Sequence, residues 1–223
     1  AITACQKGGQ WLRAVQLLEE MQSKRIAPDR IIFNAVLAAL DQAGEWQQAL
    51  HVLKDMQLKR IPPDNLTYAA AISACARGGQ WQPALELLSQ MKDKRILPDT
   101  SAYTAAMTAC EKSGQWQWTL QLLNEMQENR VAADPETYKS AICACERGSQ
   151  WQRVLQLLGE MKEKGITPDA LTYAVAISAC YGQERRIEGQ GLYQEAIEKG
   201  LLRHWKNRSR LEMDLRGHTR HMA

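Results

Sequence analysis

The chain has 223 residues, of which 45% are hydrophobic and 24% charged, an ordinary globular balance. No apolar run approaches the roughly 18 residues needed to cross a bilayer, and no secretory signal opens the sequence. The net charge of +3 is uneven: residues 203–223 hold six Lys+Arg against two Asp+Glu, which leaves residues 1–202 at −1. The main body is therefore not a basic protein, and any anion-binding surface on it must be a local pattern.

Read from the start, the chain shows one string again and again. Residues 8–21 read GGQWLRAVQLLEEM, and close variants follow at 43–56, 78–91, 113–126 and 148–161. Trp11, Trp46, Trp81, Trp116 and Trp151 are each 35 residues apart. The same step separates Met21, Met56, Met91, Met126 and Met161, and also Asp29, Asp64, Asp99, Asp134 and Asp169. Phe33, Tyr68, Tyr103, Tyr138 and Tyr173 make a fourth row. An unbroken period of this size predicts a stacked array of identical supersecondary units. Ala1 falls midway through a first helix, so further repeats upstream are expected.

Residues 65–99 show the order of elements in one unit. NLTYAAAISACARG places Leu66, Ala69, Ala70, Ile72 and Ala76 close to helical spacing. Gly78-Gly79 interrupts that helix. WQPALELLSQM starts a second one, with Trp81, Leu85, Leu88 and Met91 on one face. Pro83 falls in its first turn, where a missing N–H does little harm. Pro98 then stops the unit, and Asp99 is placed to cap the next helix.

A single helical hairpin cannot bury its own apolar face, whereas stacked neighbours can. The Trp, Tyr and Met rows are accordingly expected in the inter-helix core, the alternative being aromatic platforms for stacked bases. Trp118 lies off the row and is expected to be partly exposed. Cys75, Cys110, Cys145 and Cys180 also keep the step of 35, and Cys5 lies 70 before Cys75. This is one packing position repeated, not a C-x₂-C metal cluster. Free thiols fit a reducing compartment. After the second helix, Gly165 and Gly200 occupy a slot that often needs a left-handed backbone, and Arg25, Arg60, Arg95 and Arg130 occupy the same slot elsewhere. The arginines complement the helix C-terminal dipole. If they take positive φ, each carries a strain of about 1 kcal/mol relative to Gly.

The unbroken 35, the TY opening and the PD ending set these units apart from 34-residue two-helix repeats. NLTYAAAISACARGGQWQPALELLSQMKDKRILPD resembles a P-type pentatricopeptide repeat from end to end. The resemblance covers residues 1–202: a partial repeat (1–29), full repeats at 30–64, 65–99, 100–134 and 135–169, and a divergent one at 170–204. It implies an all-α fold, a right-handed α-solenoid, that binds single-stranded RNA along its first helices. It also implies an organellar protein, of chloroplast or mitochondrion, acting in RNA stability, processing, editing or translation. It implies that the fifth and last residues of each repeat select a base. These are Asn34 with Asp64, Ala69 with Asp99, Thr104 with Asp134, Lys139 with Asp169, and Ala174 with His204. The family's pairing then suggests U for the first pair and G for the third.

The chemistry of these residues is uneven. Asn34 offers a donor and an acceptor to a base edge, and Thr104 offers a hydroxyl. Ala69 and Ala174 offer no polar side-chain atom, and Lys139 is a point charge better suited to phosphate. Sequence reading should therefore be degenerate, of the form 5′-U-n-G-n-n. Each terminal Asp has a purely structural account as an N-cap, alone or together with a reading role. Position 13 of the repeats holds Lys7, Arg77, Lys112 and Arg147, with Gln42 and Gly182 in the other two. Cations at one recurring place suit successive phosphates. They also suit helix C-termini, and Glu111 and Glu146 dilute their field.

In residues 203–223 the pattern stops. LEMDLRGHT resembles the opening strand of an Smr domain, with Met213, Asp214, Leu215, Arg216 and Gly217 at its core. Arg216 stands where that family has His. A basic, unstructured terminus accounts for the same residues. For catalysis only His51, His204, His218 and His221 are available, and none stands in a nucleophile–base or metal-ligand spacing. An RNA-binding adaptor without catalysis, cofactor or metal is the leading expectation. A helical scaffold for protein partners is the alternative.

Overall fold

The computed structural model describes residues 8–202. Lys7, Cys5, His204 and the Smr-like stretch lie outside the described residues. Within the described part, 11 α-helices follow one another and no strand occurs. They are α1 (Trp11–Ser23), α2 (Arg30–Ala43), α3 (Trp46–Leu58), α4 (Asn65–Arg77), α5 (Trp81–Asp93) and α6 (Thr100–Lys112) in a first compact unit. A second unit holds α7 (Trp116–Glu128), α8 (Pro135–Arg147), α9 (Trp151–Glu163), α10 (Ala170–Gly182) and α11 (Arg186–Glu198). The division falls between Ser113 and Gly114.

The helix starts follow from the side chains expected to make them. Asp29, Asp64, Asp99, Asp134 and Asp169 each cap a helix, accepting from the backbone N–H of Ile32, Thr67, Ala102, Thr137 and Thr172. Such a cap contributes about 1 kcal/mol. At Asp64 and Asp134 the cap's own N–H donates in return to the hydroxyl oxygen of the threonine three residues on. The odd-numbered helices of the first unit start at Trp11, Trp46 and Trp81 with no side-chain cap.

Two turns per repeat use the left-handed backbone. Between α4 and α5, Gly79 has φ +67. Between α5 and α6, Arg95 has φ +58, and the turn closes as a Schellman motif. There the Ile96 N–H donates to Met91 O at 2.9 Å and the Arg95 N–H to Lys92 O at 2.8 Å. The arginines at positions 25, 60, 95 and 130 all stand at φ of 56–58°, so the conditional strain is realised.

In the first unit α2, α4 and α6 stack in sequence, and α3 and α5 each pack on the helix before and the helix after. The second unit repeats this scheme with α8 and α10 stacked and α9 packed on both. The core is where the rows meet. Tyr68, Tyr103, Tyr138, Tyr173 and Phe33 are fully buried, as are Met56, Met91 and Met126. Burying each such methionine contributes about 1.5–3 kcal/mol. Cys75, Cys110, Cys143, Cys145 and Cys180 are buried free thiols. Burial pushes the thiols of Cys75 and Cys110 up to about 12, which makes them packing groups rather than nucleophiles.

The Trp row differs from the expectation of a closed core. Trp11, Trp46, Trp81, Trp116 and Trp151 are only half-buried. Each is the first residue of its helix, at the rim of the stack. Trp46 lies on Gly78, where an added Cβ would come within 2.4 Å of its Cδ1, and Trp116 lies the same way on Gly148. Trp118 is 39% exposed, in line with its place off the row. Leu66, counted above in an apolar helix face, is 64% exposed. It stands at the second residue of α4, before the helix turns into the stack.

Candidate nucleic-acid interface

The even-numbered helices carry the residues singled out for base reading, and the first unit shows the most complete arrangement. Asn34 sits on α2 and Asp64 caps α4, and stacking of those helices brings the side chains together. The Asn34 amide donates to Asp64 Oδ1 at 3.3 Å. The same Oδ1 takes the Thr67 N–H at 2.9 Å. Thr67 Oγ1 lies 2.7 Å from Asp64 Oδ1 and 2.6 Å from Asn34 Oδ1, so its single proton serves one of the two. Arg30 Nε stands 3.1 Å from Asp64 Oδ2. Burial would raise the Asp64 carboxyl, but the Thr67 bonds, then Asn34 and Arg30, hold it below its ordinary value. Asp64 is thus an ionised cap that also orients the Asn34 amide. One amide hydrogen and acceptor capacity on Asn34 remain for a ligand.

The next pair differs. Ala69 is half-buried and supplies no polar atom. Asp99 is exposed and caps α6, and it takes a bond from Asn65 at 2.7 Å and one from Ser101 at 2.7 Å. Asn65 and Arg30 both open their repeats, and both reach the terminal Asp. Sequence reasoning missed this role; the signal was a polar residue at the first position of the repeats that begin at Arg30, Asn65 and Thr100, which Pro135 and Ala170 do not share. It also missed Ile31, 74% exposed beside Asn34, and Leu66, which follow the capping residues Asp29 and Asp64 by two. These are apolar surfaces next to the reading pair.

In the second unit Lys139 on α8 forms an ion pair with Glu136 and is held above its ordinary value. Burial opposes this, and the Glu136 hydrogen bond outweighs it. Its charge also helps keep Asp169 below the ordinary carboxylate value, after the Thr172 hydrogen bonds and against burial. Lys139 therefore answers two carboxylates before it meets any phosphate. Thr104 on α6 and Ala174 on α10 are half-buried, and Asp134 and Asp169 are exposed caps.

The position-13 cations end their helices as expected, but they are not equivalent. Arg77 Nε is paired with Asp41 at 2.9 Å. Lys112, at the end of α6, is exposed, and so is Arg147 at the end of α8. Among the described residues no group of three His, Cys, Asp or Glu is arranged to hold a metal, and no helix is long and apolar enough to cross a membrane.

Capped helical hairpins stacked one on the next within each unit define a helical-repeat protein. The pentatricopeptide repeat domain matches over residues 2–42, 86–147 and 121–183. The PPR repeat family matches over 28–77 and the PPR repeat over 66–96. The chain belongs to the pentatricopeptide repeat family. No curated protein matches it closely enough to add to this.

Among solved structures, the pentatricopeptide repeat protein PPR10 from maize superposes with a TM-score of 0.73 at 25% identity, over 98% of this chain and 31% of that one. PPR10 in complex with an 18-nt psaJ RNA element gives 0.68 at 19%, over 100% and 38%. The PPR domain of Arabidopsis thaliana protein-only RNase P 1, in complex with tRNA, gives 0.69 at 11%, over 81% and 95%. The chain thus spans about a third of the PPR10 chains it matches.

Proposed function

We propose that this array binds single-stranded RNA along its even-numbered helices and acts by occupying the transcript, without catalysis of its own. The observation that carries the reading is the Asn34–Asp64 pair. Its carboxylate holds the amide in place, and exposed apolar surfaces at Ile31 and Leu66 lie beside it. Family membership and the RNA seen with PPR10 support it. Asn34 with Asp64 selects one base, expected to be U. Thr104 is the other fifth-position residue with a neutral polar side chain, expected to select G. Ala69, Lys139 and Ala174 leave their positions degenerate. Lys112 and Arg147 contact phosphate, and Arg77 does so once Asp41 releases it. Lys7 belongs to the same row by sequence. An organellar site of action, in RNA stabilisation, processing or translation, follows the family's habit.

Fluorescence anisotropy with short RNAs of fixed composition tests the reading. Asn34→Ala should lower affinity for U-containing RNA about tenfold and remove the preference over C, since one good base contact is worth about 1–3 kcal/mol. Absence of binding to every RNA at low salt would overturn the proposal. The net charge of −1 in residues 1–202 and the alanines at 69 and 174 favour a second reading, a scaffold for protein partners. Binding that barely responds to salt would support it.

A further inference from the structure

Each repeat needs a left-handed residue twice, and the chain meets the two needs differently. Just before the odd-numbered helices the residues are Gly9, Gly44, Gly79 and Gly114, with Ser149 and Glu184 in the later repeats. Just after the odd-numbered helices they are Arg25, Arg60, Arg95 and Arg130, with Gly165 and Gly200 at the end. The backbone requirement is the same, so it cannot be what selects arginine. Nor can the helix dipole, because Lys24, Lys59 and Lys94 already stand one residue earlier at the C-cap without strain. In the first unit Arg25, Arg60 and Arg95 are all exposed, and among the described residues none has a hydrogen-bond or ion-pair partner for its guanidinium. Three free guanidinium groups are thus kept at a recurring strained position.

Their place in the repeat indicates what they meet. Each stands four residues before an Asp that caps an even-numbered helix, so the row recurs once per repeat in step with the reading pairs. Successive stacked helices lie about 8–10 Å apart. Arg77 and Lys112 sit at the far end of the same helices, about 18 Å away along 13 residues. The reading row therefore runs between two cationic edges. Planar guanidinium groups bind phosphate oxygens in pairs, which a lysine ammonium does not.

We propose that Arg25, Arg60 and Arg95 form a second row of phosphate contacts for RNA, on the edge of the first unit opposite Arg77 and Lys112. The proposal rests on the RNA-binding reading above. It adds a second track to that reading, so that the array grips the backbone on both sides of the read bases. Exposed Ile26, Leu58 and Leu97 border the same turns. An anionic membrane surface is therefore the competing occupant that the test must separate.

The test uses the full 223-residue chain with Arg25, Arg60 and Arg95 all changed to Gln. Gln retains the Cβ and hence the left-handed strain, so the denaturation midpoint should stay at the wild-type value. RNA affinity is measured by anisotropy from 50 to 200 mM salt, with Asn34→Ala in parallel and with vesicles of anionic lipid as a further arm. Loss of three single-strand phosphate contacts should flatten the slope of log K against log salt by about 2, while the base preference at Asn34 is kept. A wild-type slope in the triple variant, with Asn34→Ala still impaired, would overturn the second row and leave the RNA reading standing. No RNA binding by the wild type would overturn both. Loss of vesicle binding by the triple variant with RNA binding unchanged would assign the row to a membrane instead.

Discussion

Replacing the left-handed arginines by glycine should stabilise the protein, and the structure sets the size of the effect. Arg25, Arg60 and Arg95 share a φ of 58°. An L-residue in that region carries about 1–2 kcal/mol of strain from its Cβ. Glycine removes the strain but has more freedom to lose on folding, about 0.5–1 kcal/mol. The net gain is about 0.5–1 kcal/mol per site. The three sites belong to different repeats and, taken as independent, add to about 1.5–3 kcal/mol. Repeat arrays sum such local terms along the stack. Urea denaturation of Arg25→Gly/Arg60→Gly/Arg95→Gly should show a raised midpoint with an unchanged slope. The matching alanine triple should show neither gain nor loss, since alanine keeps the Cβ. The reverse change, Gly165→Arg at φ +72, should cost about what one glycine gains. The reasoning is refuted if the alanine triple stabilises as much as the glycine triple, because the effect would then come from lost charge repulsion and not from the backbone.

Further outcomes follow from particular positions. Gly78→Ala places a Cβ 2.4 Å from Trp46 Cδ1 and should cost about 1–3 kcal/mol with a change in Trp fluorescence. Gly159→Ala, inside α9 with open space around it, should gain about 1 kcal/mol in the same denaturation assay. Tyr68→Phe and Tyr138→Phe remove buried hydroxyls that have no hydrogen-bond partner among the described residues and should be neutral or stabilising. Tyr173→Phe removes a hydroxyl bonded to Glu195 at 2.7 Å and Lys199 at 2.8 Å and should cost about 1–2 kcal/mol. Against the pull of burial, Glu195 is held down from 4.5 to about 2 by bonds from Lys162, Lys199 and Tyr173. Because its folded value is the lower one, its stabilisation is present above about pH 4.5 and is lost as pH falls through about 2. Protection factors of the α11 amides, with exchange rates corrected for the pH dependence of intrinsic exchange, should fall across that window in the wild type and much less in Glu195→Gln.

The 35-residue step carried most of the architecture in plain view. It placed the helix starts at the Asp and Trp rows, the left-handed slots at positions 25, 60, 95 and 130, and the buried Tyr, Met and Cys rows. All of these depend on residues close in sequence or on one strict period. The contacts that refine the site depend on something else. Arg77 with Asp41, Asn34 with Asp64 and Asn65 with Asp99 join residues 30–36 apart. Which of several polar neighbours meet is decided by how one helix stacks on the next, and no local pattern encodes that. Lys139 shows the limit: its choice of Glu136 follows from helical spacing, yet its pull on Asp169 appears only when the hairpins are stacked. Leu66 misled for the opposite reason. Helical periodicity puts it on an apolar face, but its helix has only just begun there and the stack has not yet closed over it.

If the closing aspartates read bases as proposed, they tie the array's vocabulary to its folding. Each one starts the following helix, so exchanging it for a residue that cannot cap loosens that helix by about 1 kcal/mol before any ligand is present. The fifth-position residue has no such duty, and in this chain it is Asn, Ala, Thr, Lys and Ala in turn, while the closing residue is Asp in every full repeat. One half of each pair is free to drift and the other is anchored by the stability of its neighbour. On the proposed reading, new binding preferences in such an array are reached cheaply through the fifth residue. Through the last residue they are reached only where the next repeat has stability to spare.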